Sequence, residues 1–150
     1  MPHIEREPKA PGVNVVEAVP FLHVTDIGAS LKFYVAGLGG EVVNEWSPEG
    51  RIRWCMLSLG GASLMLQEYL KSGTSGTRPA GVLGQGVRIC LFCKDATRIY
   101  EDLIGRSVAA SRPFVGNGLW VTSVIDPDGY LLDFESPTDL PEDTVFGEQP

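Results

Sequence analysis

Between Leu119 and Glu135 two apolar, β-branched and aromatic runs flank Asp126-Pro127-Asp128-Gly129, a pattern that predicts a β-hairpin. Pro127 pre-sets φ at the second turn position, and Gly129 can adopt the positive φ of a type I turn followed by a bulge. In the second arm Tyr130, Leu132 and Phe134 alternate with Leu131, Asp133 and Glu135, so one face is core and the other carries two carboxylates. Those carboxylates suit either a solvated face or the wall of a polar cavity.

Earlier in the chain, Val15 to Thr25 has the apolar density of a buried strand. Asp26 then stands at a helix N-cap, ahead of Ile27, Leu31, Tyr34, Val35 and Leu38 at helical spacing, and Gly39-Gly40 ends the helix. Strand patterns follow over Glu41 to Trp46, Arg51 to Leu59 and Ala62 to Tyr69. Lys71 to Gly86, rich in Gly, Ser and Thr, reads as a mobile linker without a packed element. Beyond it the grammar returns: a strand over Val87 to Lys94, Asp95 as N-cap, Ala96, Ile99 and Leu103 as a helical stripe stopped by Gly105, and a strand over Val108 to Val115. Gly116-Asn117-Gly118 leads from there into the hairpin.

The chain thus contains two copies of one β-α-β-β-β unit, with Asp26 and Asp95 in register at an offset of 69 residues. The expected fold is α+β: two modules forming an incomplete, curved, eight-stranded barrel-like sheet around a cavity. Residues 1–12 are expected to be a flexible arm, 13–137 a single two-module domain and 138–150 an acidic tail. Within the domain, module one covers about 13–70, the linker 71–86 and module two about 87–137.

Composition narrows the function. A chain of 150 residues with 43% hydrophobic content sustains one core without disulfides or a structural metal. A net charge of −7 gives no footprint for nucleic acid or anionic lipid, and no apolar run is long enough to span a membrane. A secretory signal pattern is absent from Met1 to Ala10, and the odd cysteine count (Cys55, Cys90, Cys93) fits reduced thiols, so a cytoplasmic location is expected. Cys90 and Cys93 lie three apart on a strand and face opposite ways, which argues against a zinc or dithiol site.

VPFLHVTDIGASLKFYVAGLGG in the first unit, ICLFCKDATRIYEDL in the second and DPDGYLLDFE at the end together resemble the vicinal oxygen chelate superfamily, which includes glyoxalase I, extradiol dioxygenases and bleomycin-resistance proteins. The resemblance covers about Val15 to Pro137. In the metal-binding members four ligands come from the first and last strand of each unit, and these positions fall here on Val19, Met65, Arg88 and Asp133. Only Asp133 is a ligand for a hard divalent ion, and a guanidinium would repel one, so neither metal nor other cofactor is expected. On the same comparison the cavity face carries Phe21 and His23, with His23 serving as a backbone-bonded histidine, a ligand contact or a base.

Flat and polarizable side chains, Trp54, Trp120, Phe21, Trp46 and Met65, suit the wall of a small-molecule cavity. The expected ligand-binding set is Phe21, His23, Trp54, Met65, Arg88, Trp120 and Asp133, with an ion pair between Arg88 and Asp133. No catalytic residue is assigned. The resemblance implies a metal-independent binder of a small aromatic or cationic ligand, working as a homodimer. The alternatives are a lyase, isomerase or dioxygenase of the same superfamily, and a non-catalytic module whose cavity the ion pair closes.

Overall fold

The computed structural model describes residues 14–70 and 77–148. Asp26 follows the first strand, β1 (Phe21–Val24), and its carboxylate accepts the Ala29 N–H at 3.2 Å, satisfying a donor that a helix start leaves open. The helix runs as α1 (Ile27–Leu31) and widens into a π-helical segment, Lys32–Gly37, after which the Leu38 N–H reaches back to the Phe33 carbonyl. Gly39, at φ +83°, closes it in a conformation that only glycine adopts without steric cost. Strands β2 (Glu41–Trp46), β3 (Trp54–Leu59) and β4 (Ala62–Glu68) complete a four-stranded sheet of order β1-β4-β3-β2. Within it β1 runs parallel to β4 and the other pairs are antiparallel.

The second unit repeats this plan. β5 (Arg88–Phe92) leads to Asp95, which accepts the Thr97 and Arg98 N–H groups at the start of α2 (Ala96–Gly105). β6 (Phe114–Gly116), β7 (Leu119–Ile125) and β8 (Leu131–Pro137) then give the order β5-β8-β7-β6. The fold is α+β, two mixed sheets with few helices and no closed barrel. The hairpin turn forms as expected, with Gly129 N–H donating to the Asp126 carbonyl at 3.0 Å and Gly129 at φ +101°.

Several boundaries differ from the sequence pattern. β1 is four residues long rather than running from Val15, because Pro20 has no N–H for the ladder and Val15 and Val16 upstream of it are exposed. Likewise, Pro113 precedes β6, and Val108 to Arg112 form no strand. α2 continues through Gly105, and Ser107, at φ +61°, supplies the left-handed residue that ends it. The expected start of order at Val13 and the arm before it lie outside the described residues. So does 71–76 of the linker, whereas 77–86 forms no strand or helix yet packs: Leu83 is buried and its N–H donates to the Asp128 carbonyl at 3.0 Å.

Residues 138–148 also lie against the second module. Phe146 meets Trp120 edge-on at 5.9 Å between ring centroids, Val145 bridges Phe114, and Glu142 accepts the Asn117 and Gly118 N–H groups at 3.0 Å. One continuous core joins the modules, with Leu22, Val24, Tyr34, Leu57 and Leu66 from the first and Leu103, Val124, Leu132 and Phe134 from the second. Between the modules Asp126 accepts the Tyr34 hydroxyl at 2.8 Å and the Asp128 and Tyr130 N–H groups at 2.9 Å. Burial raises the Asp126 carboxyl above its ordinary value despite these bonds, and burial beside Asp126 raises the Tyr34 hydroxyl.

Candidate functional site: two open sheet faces

Leu22 and Val24 point into the core, so strand alternation turns Phe21 and His23 to the other side of the first sheet. The register places Phe21 beside Met65, Met65 beside Met56, and Gln67 between His23 and Trp54. Phe21, His23, Trp54 and Met65 therefore share one open face, apolar for the most part. Phe21 is 42% exposed there, and its ring centroid lies 4.8 Å from that of His23, which in turn lies 5.5 Å from Tyr69. Tyr130 donates to the His23 carbonyl at 2.7 Å, but the imidazole itself has no hydrogen-bond partner among the described residues.

The corresponding face of the second sheet is charged. Arg88 Nη1 donates to both oxygens of Asp133, at 2.9 and 3.0 Å, and Ser123 Oγ donates to Oδ1 at 2.6 Å. The expected ion pair forms. It is not buried as a unit, since the Asp133 side chain is 6% exposed and that of Arg88 55%. The parallel register of β5 and β8 sets Cys90 beside Asp133, and Cys90 Sγ and the carboxylates of Asp133 and Glu135 lie within 4.8 Å of one another. Partial burial and the carboxylates of Glu135 and Asp133 push the Cys90 thiol up from its ordinary value.

The structure does not bring Trp120 to either open face. It pairs with Ser136, one step out of phase with Ser123 and Asp133, and is buried on the α2 side beside Ala96 and Phe146. Val121 occupies the phase that faces outward with Glu135. Trp46 stands at the end of β2 opposite Trp54 and is 54% exposed. The sequence pattern set Glu135 on the same face as Asp133 but gave no sign of Cys90 and Ser123 as its neighbours. Alternation alone put Glu135 on that face, whereas Cys90 and Ser123 depend on the registers of β5 and β7 against β8.

The four positions that would hold a metal by family resemblance do not fit one. Val19 and Met65 offer no hard ligand, Arg88 is a cation, and Asp133 is already engaged by Arg88 and Ser123. Cys90, Asp133 and Glu135 make a different ligand set, in which an ion would have to displace the Arg88 guanidinium from Asp133.

Paired β-α-β-β-β modules, each with one helix-covered face and one open face, are the architecture of the vicinal oxygen chelate fold. The sequence model of the Glyoxalase/Bleomycin resistance protein/Dioxygenase superfamily matches residues 13–134, and the chain belongs to that superfamily. No curated protein matches the chain in sequence. Among solved structures it is similar to TioX from Micromonospora sp. ML1 (19% identity, 80% of this chain and 97% of that one, TM-score 0.64). It is also similar to a bleomycin-binding protein in complex with bleomycin (21% identity, 81% and 98%, TM-score 0.62). A third is TnmS3, an antibiotic binding protein from Streptomyces sp. CB03234 (21% identity, 82% and 98%, TM-score 0.60). At these identities the likeness is one of fold.

Proposed function

We propose that the protein binds a small aromatic or cationic molecule without transforming it, using the open face of Phe21, His23, Trp54 and Met65 together with the Arg88–Asp133 pair, and without a resident metal. The observation that carries this reading is the pairing of a half-exposed aromatic and thioether surface with a charged one on adjoining modules. Rings and thioether supply flat, adaptable apolar contact, and Asp133 and Glu135 supply acceptors for a cationic group. The likeness to a bleomycin-binding protein solved with bleomycin supports a small-molecule ligand.

Apolar side chains on both open faces, including Phe92 at 77% exposure on the second, support a homodimer in which a second copy covers part of each. Three free thiols, Cys55, Cys90 and Cys93, fit a reducing cytoplasm, and no helix among the described residues is long and apolar enough to cross a membrane. Calorimetric titration with metal-free bleomycin tests the binder. Saturable binding weakened in Phe21→Ala and Met65→Ala supports it, whereas heat indistinguishable from dilution overturns it for that ligand class. A light-scattering mass near 16.2 kDa would overturn the dimer.

A second reading, an enzyme of the same superfamily, is favoured by one observation, the Cys90, Asp133 and Glu135 ligand atoms within 4.8 Å of one another. Stoichiometric metal that is lost in Cys90→Ser would select it over the binder.

A further inference from the structure

A cleft of about 660 Å³ runs between the modules on the side of α2, away from the open face of the first module, with Cys90 and Phe92 of the second module's face on its lining. Its walls are mostly apolar, from Leu38, Leu59, Leu91, Leu103 and Phe134, and Arg106 lies on its lining. The volume is in the range of cavities that hold small ligands, roughly 300–1,000 Å³.

The internal repeat explains why the gap exists. On the other side of the module pair the same seam is bridged. Tyr34 bonds Asp126, Tyr130 bonds the His23 carbonyl, and the Thr25 N–H bonds Asp128 at 3.2 Å. Applying the repeat offset, Leu103 replaces Tyr34, and the β3–β4 turn at Gly60-Gly61 replaces the turn that carries Asp126 and Asp128. Leu103 has no hydroxyl and the glycine turn has no side chain, so the Tyr34–Asp126 type of bridge has no counterpart here.

Charge on the lining sets the ligand class. Asp102 is paired with Arg98 at 3.3 Å one turn back on α2. Arg106 meets no carboxylate among the described residues, and its one side-chain bond is from Nη1 to the Gly37 carbonyl at 3.1 Å. That leaves part of the guanidinium fork for an anion.

We propose that this cleft is a second binding site, for a monocarboxylate with an apolar tail whose carboxylate meets Arg106 and whose tail lies against Leu59, Leu103 and Phe134. It is separate from the face of Phe21, His23, Trp54 and Met65, none of which lines it.

Decanoate is the probe, with decyltrimethylammonium as the same tail bearing the opposite charge. Gly61 has ordinary φ, and a Cβ there would meet nothing within 4 Å, so Gly61→Phe can fill the cleft without backbone strain. Titration followed by methyl resonances of Ile99 and Leu103 should show saturable decanoate binding. Arg106→Gln should weaken it by about ten-fold or more, the effect of losing one charge-assisted contact. Gly61→Phe should abolish it, and Phe21→Ala on the open face should leave it unchanged. The proposal is overturned by no saturation in the millimolar range, by equal affinity for decyltrimethylammonium, or by shifts confined to the Phe21 and Met65 face. If Gly61→Phe does not fold, Arg106→Gln decides alone: an unchanged decanoate affinity overturns the assignment. Gly61→Phe altering self-association while decanoate binding persists would also overturn it and assign the cleft to a second copy of the chain.

Discussion

The two modules share one plan and differ in what their last strands do. Glu68 at the end of β4 accepts the Ile27 N–H at 3.0 Å and two arginines, Arg51 and Arg53, while Ser136 at the matching place in β8 accepts the Ala96 N–H at 2.9 Å with its hydroxyl alone. In each, a β-strand side chain satisfies a buried N–H at the start of the module's helix. The open faces diverge further, aromatic and thioether in the first module, charged in the second. Backbone need is thus met the same way in both copies, whereas the exposed face is free to change, because no core packing depends on its chemistry.

The two glycine turns give the largest test of this comparison. At Gly129 a Cβ would lie 2.3 Å from Val82 Cγ1 and 3.1 Å from the Leu83 carbonyl, at φ +101°, whereas at Gly61 it would meet open space. Gly129→Ala should cost about 2–4 kcal/mol from left-handed strain plus overpacking. Gly61→Ala should stay within about 0.5 kcal/mol. Urea unfolding compares them directly, and equal losses would mean that the segment around Leu83 is not held on the hairpin turn.

Next comes the charged face. Asp133→Leu removes a buried carboxylate with three hydrogen bonds and should cost about 1–3 kcal/mol, while Arg88→Met leaves Ser123 still bonded to Asp133 and should cost less. Because Arg88 is more than half exposed, solvent screens the pair, and the double variant should show a coupling of only about 1 kcal/mol rather than that of a fully buried pair. Strict additivity in a double-mutant cycle would show that the two side chains do not act as partners in solution.

Asp126 sharpens the comparison through pH, since the first module has no counterpart to it in its own turn. Its carboxyl is raised above 3.8 by burial, so the folded state holds the proton more tightly than the unfolded chain. The stability this confers is fully present below that unfolded value and is lost as pH rises through the raised folded one. The unfolding free energy of the native chain relative to Asp126→Asn should therefore be greatest in acid and fall across that window. A difference that is flat or rising with pH would contradict it. The smallest effect concerns metal: protein prepared without chelator should carry less than one equivalent of zinc, nickel, iron or manganese. Elemental analysis showing a full equivalent would transfer the second module's face to metal chemistry.

Local rules made much of the fold legible. Asp26 and Asp95 as N-caps, Gly39 as a helix stop and Gly129 in its turn each follow from one residue's stereochemistry, and a repeat of such signals is visible without any contact map. The ends of β1 and β6 were less legible, since prolines at 20 and 113 cut short runs whose apolar content reads as strand. Alternation also placed Phe21 and His23 on one face and Asp133 and Glu135 on another.

What pattern could not supply is phase between strands distant in sequence. Trp120 is aromatic and lies in the right hairpin, but its pairing with Ser136 turns it under α2, and no feature of its own strand reveals that. Cys90 read as a structural thiol until the parallel ladder of β5 on β8 set it beside Asp133. The cleft at Arg106 depends likewise on how the modules meet: Gly60-Gly61 is an ordinary hairpin turn in sequence, and becomes a gap only where packing sets it opposite α2. Side-chain direction along one strand is a property of the chain's geometry, fixed at a period of two. Which directions converge is decided by register and by packing between modules, and those are set by the core as a whole.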